Sequence, residues 1–420
     1  MADRERLTVS ERVARLPILH LTIGLATLFF VFHRQPREGG SLAFYAIADR
    51  MGQGLIPYLD FSVEYPPLGL LHLYLPRLVA GQREAGYEWA FTFLSFGLAL
   101  ATAAVVYFLA RRGWSLNSTN NTMLIFLSLS LASLPLIVWR FDILPTLFTA
   151  VALAAFATGR NGSTGAALGL GTLAKLYPAF LGPVFFFVRV FERRFAAAAA
   201  LVAGAALTVG VVFIGLYLTA GLDAFSYVLY QDERGVEIES VAGGLALLAD
   251  AYGIAGARIF FDFGSYQVAS GVLGRLETPL TLFNWAIALA VIGSAAWQFR
   301  DDVRSTGTVR PATVVTFVVA TLLVVILTNK VLSPQYVVWL LPFGSLLRAR
   351  QALLLVVIFA VTTLIYPMGF QTLLQTEQSI VVALNVRNLL LTVLLAWVIW
   401  PPKLRLLPRS DRGDVREAAN

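Results

Sequence analysis

An all-α polytopic membrane protein is the fold class this sequence predicts, on three observations. The first is composition: 58% of the 420 residues are hydrophobic and 14% charged, where a soluble domain carries about 25% charge. The mean hydropathy is +0.73. The second is run length. Apolar stretches close to the ~20 residues of a crossing helix recur along the whole chain, without the short alternating segments of a barrel. The third is the placement of charge. Basic residues gather in particular loops, so the net charge of +7 reads as membrane topology and argues against nucleic acid as a partner. With no cysteine, the chain has neither a disulfide nor a thiolate metal site.

The elements follow in order, as a bundle of about 11–13 transmembrane helices. Residues 1–15 are mixed in charge and no small-residue cleavage site follows the apolar run, so 16–32 reads as a retained first span. That puts the N-terminus in the cytoplasm and the first loop, 34–88, outside. Within this loop 42–51 reads as a short amphipathic helix, followed by a glycine break, and 68–79 as an interfacial helix too short to cross. Spans follow at 89–110, 122–139 and 143–158. Residues 165–188 have Lys175-Leu176-Tyr177-Pro178 at their middle and arginines at both ends. Because basic residues prefer the cytoplasmic side, this segment reads as a broken re-entrant hairpin with its tip near Lys175. A span at 195–219 leads to a large outside segment, 221–278. Further spans are expected at 280–299, 314–328, 336–347, 353–366 and 380–400. The tail 408–420 reads as disordered and cytoplasmic, and 1–407 as a single transmembrane domain.

The unusual polar residues fall in the outside loops or at the hairpin tip. Asp60 and Glu64 lie in the first loop, Arg140 and Asp142 in the second, and Arg234, Glu237 and Glu239 in the third. Lys330, Ser333 and Gln335 lie in the fourth, while Arg387 sits within the last span. An ionisable group at membrane depth costs at least ~2.5 kcal/mol and normally faces a cavity or a partner. One shared outer cavity accounts for all of them. Asp142 is also placed to cap the helix after it, and Arg140 and Lys330 have ordinary interfacial roles open to them. Three scattered histidines, His20, His33 and His72, make no metal triad. Gly169-x-Gly171 before Lys175 lacks the spacing of a phosphate loop.

Five motifs in order carry a family resemblance. They are Gly54-x-x-Pro57-Tyr58-x-Asp60-Phe61-x-x-Glu64-Tyr65-Pro66-Pro67, Arg140-Phe141-Asp142-x-x-Pro145, Lys175-Leu176-Tyr177-Pro178, Arg234-Gly235 with Glu239-Ser240, and Asn329-Lys330 with Ser333-Pro334-Gln335-Tyr336. Together they resemble the polyprenol-phosphate-sugar-dependent glycosyltransferases of GT-C type, closest to the mannosyltransferase-like family 87. The resemblance implies transfer of a sugar from a lipid phosphate to a glycolipid or glycan acceptor on the outer face of the plasma membrane. It implies an acid of the first loop as catalytic base and no cofactor beyond the lipid-phosphate donor, leaving metal dependence open. Family members often carry an aspartate where Ser41 stands here.

The expected assignment is therefore Asp60 as base and Glu64 as a second acid. Lys175, Arg234, Lys330 and Arg387 are phosphate ligands, with Gln335 on sugar or phosphate. Tyr58, Phe61 and Tyr65 stack on sugar, while Arg140, Asp142, Tyr177 and Glu239 complete the binding set. A flippase of a lipid-linked sugar would use the same basic cavity without needing a base, and an inactive relative is the third reading.

Overall fold

The computed structural model of the protein describes residues 41–227 and 234–400. The expected span at 16–32 and the tail from 408 lie outside the described residues.

Turn residues shape the first loop. Helix α1 (Leu42–Gly52) stops at a glycine break where Gly54 takes a φ of +91°. Helix α2 (Pro67–Ala80) begins on a proline, which loses no hydrogen bond at the first helical position. Arg77 of α2 reaches back to Asp49 of α1 at 2.9 Å, so the two interfacial helices are tied together. Helix α3 (Glu84–Arg111) then runs for 28 residues.

The expected span at 122–139 is divided. Helix α4 (Thr119–Ala132), capped by the Ser118 hydroxyl, gives way to α5 (Leu134–Val138). Ser133 donates its hydroxyl to the Leu129 carbonyl and Pro135 has no N–H to continue the ladder. Helix α6 (Ile143–Ala157) follows.

The broken hairpin is present. Helix α7 (Asn161–Ala174) ends where Lys175 turns extended, a 3₁₀ turn covers Tyr177–Leu181, and α8 (Gly182–Phe191) continues. Arg189 near the end of α8 donates to Asn161 at the start of α7 (2.8 Å) and to the Phe156 carbonyl (3.2 Å). The two arms therefore begin and end together, with Lys175 at the far tip.

Helix α9 (Phe195–Ala220) packs against α7 through backbone contact. A Cβ on Gly165 would stand 1.8 Å from the Leu201 carbonyl oxygen, and one on Gly204 2.1 Å from that of Gly162. Small residues here let two helices touch along their main chains. Gly165→Val forces them apart and is expected to cost at least about 1–3 kcal/mol, seen as a lowered unfolding midpoint in mild detergent. An unchanged midpoint would show that this contact is slack.

Beyond α10 (Val241–Ala251) the structure departs from a purely helical reading. Strands β1 (Ala257–Asp262) and β2 (Ser265–Ser270) form an antiparallel hairpin. Its signature is aromatic and β-branched residues on either side of a glycine turn. Val236 and Ile238 bond to β2 through their main chains, so the segment before α10 lies along the hairpin. Helix α11 (Gly271–Thr306) starts well before the expected 280, and α12 (Pro311–Thr328) is as anticipated.

The expected span at 336–347 is not a helix of crossing length. Pro334 and Pro342 restrict it to a 3₁₀ turn (Pro334–Leu340) and a four-residue α13 (Leu341–Gly344), all buried but for the half-buried Gln335. The described chain closes with α14 (Ala349–Thr363), a π-turn, α15 (Phe370–Leu374) and α16 (Gln378–Ile399). Among the described residues six helices are long and apolar enough to cross a membrane: α3, Phe195–Phe225, α11, α12, Ala349–Met368 and α16. Of the other crossings expected within them, 143–158 is the single 15-residue α6, and 122–139 and 336–347 are broken pieces. Their broken ends carry the site.

Candidate active site

Five irregular segments meet around one cavity of about 580 Å³. They are the turn before α2, the corner between α5 and α6, the hairpin tip, and the two stretches 234–239 and 329–336. Glu64, Tyr65, Arg140, Asp142, Lys175, Tyr177, Arg234, Glu239 and Gln335 all line it. Residues up to 327 positions apart are thus brought together, since Phe44 and Gln371 line the same cavity.

The tip lysine is clamped. Lys175 Nζ lies 2.6 Å from Asp142 Oδ1, and the same oxygen accepts the Trp339 indole N–H at 2.7 Å. Asp142 makes no helix-capping bond, contrary to the sequence expectation; its carboxylate turns to the lysine instead. Tyr177, Trp339 and Tyr336 stack with ring centroids 4.0 and 4.1 Å apart. The ammonium sits 4.8 Å from the Tyr336 ring and 5.1 Å from that of Phe141. The ring stack and the carboxylate fix where the charge points.

Two arginines join it. Arg140 donates to the Tyr366 hydroxyl and lies over the Phe44 and Tyr366 rings. Arg140 and Arg234 are both near enough to act electrostatically on Lys175 and on the Tyr65 hydroxyl. Each has a buried Nε–H without a partner. Three clustered cations with one bonded carboxylate among them form a site for an anion.

Acceptor atoms face the same space. Glu64 Oε2, Asp142 Oδ2 and Gln335 Oε1 are buried and have no partner. Burial pushes the Tyr65 hydroxyl upward, and the charge of the neighbouring Glu64 carboxylate adds to this, so Tyr65 stays protonated. Glu237, absent from the sequence assignment, also lines the cavity and accepts from the Ser333 hydroxyl at 3.0 Å. Burial raises its carboxyl, opposed chiefly by Arg234. Glu239 lies beside it. Burial pushes Glu239 up to about 8 against the pull of Arg387.

Residues 63–328 match the family model for glycosyltransferase family 87. The chain belongs to this family. No curated protein sequence matches it. Among solved structures it resembles ArnT from Cupriavidus metallidurans bound to undecaprenyl phosphate, with a TM-score of 0.49 and 13% identity over 91% of this chain and 77% of that one. ArnT in the apo state gives 0.48, at the same identity and coverage.

In this family 87 protein five expected site residues stand away from the cavity wall. Asp60 is exposed. Its carboxylate accepts the Ile56 N–H at 2.7 Å and its own N–H bonds the Ile56 carbonyl, so it closes a turn. Tyr58 is buried, held at a φ of +70°, and donates its hydroxyl to the Tyr65 carbonyl; it places Tyr65 and does not face the cavity. Phe61 lies under the Arg50 guanidinium. Lys330 is exposed, and its carbonyl accepts the Glu237 N–H. Arg387 is fully buried behind Glu239, 3.3 Å from Oε2, so its partner is a wall residue. The turn at Asp60 could be inferred from Gly54 and Pro57, but nothing in the local sequence shows which carboxylate turns inward.

Proposed function

We propose that this cavity transfers a sugar, mannose or a similar hexose, from a polyprenyl-phosphate donor to a hydroxyl of a lipid- or glycan-linked acceptor. The reaction takes place on the extracytoplasmic side of the plasma membrane. The observation that carries this reading is the pairing, in one cavity, of three clustered cations with a carboxylate whose inner oxygen has no partner.

The chemistry divides between them. The anomeric carbon–oxygen bond to phosphate breaks and its electrons pass to the phosphate, which goes from one negative charge towards two. Arg140, Lys175 and Arg234 hold that growing charge at fixed positions. The acceptor oxygen attacks the opposite face, so the anomeric centre inverts. Its proton goes to Glu64, the carboxylate of the first loop that faces the cavity. Asp142 is already engaged by the Lys175 ammonium and the Trp339 indole N–H.

The test is ligand-specific stabilisation. Undecaprenyl phosphate at about 100 times its Kd is expected to stabilise the full chain by about 2.7 kcal/mol, read as a raised unfolding midpoint. Undecaprenol, lacking the phosphate, gives no such rise, and Arg140→Gln with Arg234→Gln removes it. Equal shifts from both lipids would defeat the reading.

A further inference from the structure

Four aromatic rings run in a row from the cavity mouth inward. Phe261 meets Tyr266 at 5.2 Å, Tyr266 meets Phe370 at 5.5 Å, and Phe370 meets Tyr366 at 5.0 Å, each edge to face. All four line the cavity. The inner end, Tyr366, holds Arg140. The outer end, Phe261 on β1, is 64% exposed.

The hairpin tip closes over Glu64. Phe263 and Gly264 have φ of +46° and +67°, a conformation that a bulky residue such as Phe263 rarely adopts. A Cβ on Gly264 would stand 3.4 Å from Glu64 Oε1 and 3.5 Å from Oε2. The glycine therefore leaves open the space in front of the carboxylate. In the same cavity, the unpartnered acceptors Glu64 Oε2 and Gln335 Oε1 call for O–H donors.

A ligand at this mouth must offer apolar C–H faces to the rings and hydroxyls to the two acceptors. A pyranose ring does both. A fatty chain offers only the first, and a phosphate would meet Glu64 as a like charge. We infer that the mouth is the acceptor subsite and that it takes a pyranose ring of a carbohydrate on Phe261, Tyr266 and Phe370, with one hydroxyl led under Gly264 to Glu64. This rests on the glycosyl-transfer reading above and gives it a direction: lipid phosphate at the cations, acceptor from the hairpin side.

Saturation-transfer NMR on the full chain in nanodiscs tests it. The probes are methyl α-mannopyranoside and methyl β-galactopyranoside, with undecaprenyl phosphate titrated in parallel. At least one pyranoside is expected to take up saturation on its ring C–H protons. Phe261→Ala, a change at an exposed position, is expected to raise its apparent Kd about five-fold and to leave undecaprenyl phosphate binding unchanged. Absence of saturation on both pyranosides, or equal binding by Phe261→Ala, overturns the subsite. Loss of undecaprenyl phosphate binding in the unmodified chain overturns the donor reading instead, so the two failures are told apart.

Discussion

Glu64→Gln is expected to lower sugar transfer by about 10²–10⁴-fold, the usual contribution of a positioned general base. Donor binding should be retained, since the amide keeps the shape of the side chain and one of its acceptors. Asp60→Asn is the paired control. Its amide oxygen can still accept the Ile56 N–H, and the residue is exposed, so transfer should stay within about threefold of the unmodified protein. Transfer of radiolabelled sugar separates the two carboxylates, and undecaprenyl phosphate binding checks that both variants are folded. If Asp60→Asn fell silent while Glu64→Gln remained active, proton abstraction would lie outside the cavity described above. If both remained active, Asp142 would be the next carboxylate to try, because its Oδ2 also has no partner.

That pair of variants marks where the sequence was legible and where it was not. Long apolar runs and loop charges identify helices such as α3, α12 and α16 directly, because each is set by its own residues and the solvent around it. The hairpin tip at Lys175 could be read for the same reason: a lysine between two apolar half-helices, flanked by arginines, has few other solutions. The choice between Asp60 and Glu64 depends on which way each side chain turns. That is decided by two contacts, the Tyr58 hydroxyl on the Tyr65 carbonyl within the loop and Gly264, remote in sequence, across the carboxylate. Arg387 deceives for a similar reason. Its burial marks it as paired, but the partner, Glu239, lies 148 residues away. Glu237 was expected in the cavity but given no role, and Trp339 was missed, because what they do comes from neighbours on other segments, Ser333 and Asp142. The strands fall within 221–278, which the sequence marks only as a large outside segment.

The second large effect concerns Lys175. Lys175→Met removes a cation from the phosphate site and is expected to lower transfer by about 10²–10³-fold. It also leaves the Asp142 carboxylate buried without its ion partner, which costs about 3–5 kcal/mol of stability. The two consequences are separable. In the double variant Lys175→Met with Asp142→Asn, both charges leave together, while the asparagine oxygen still accepts the Trp339 N–H. Unfolding in mild detergent should then return most of the way to the unmodified midpoint, because the penalty of the single variant is that of an orphaned charge and not of a lost attraction. Transfer should not return, because nothing has replaced the cation. Recovery of both would show that Lys175 serves only to neutralise Asp142, and that Arg140 and Arg234 suffice for the phosphate. Recovery of stability alone assigns the lysine to the leaving group. It also explains why the chain keeps a charged pair at the break between α7 and α8, where an apolar pair of similar size would fold as well or better.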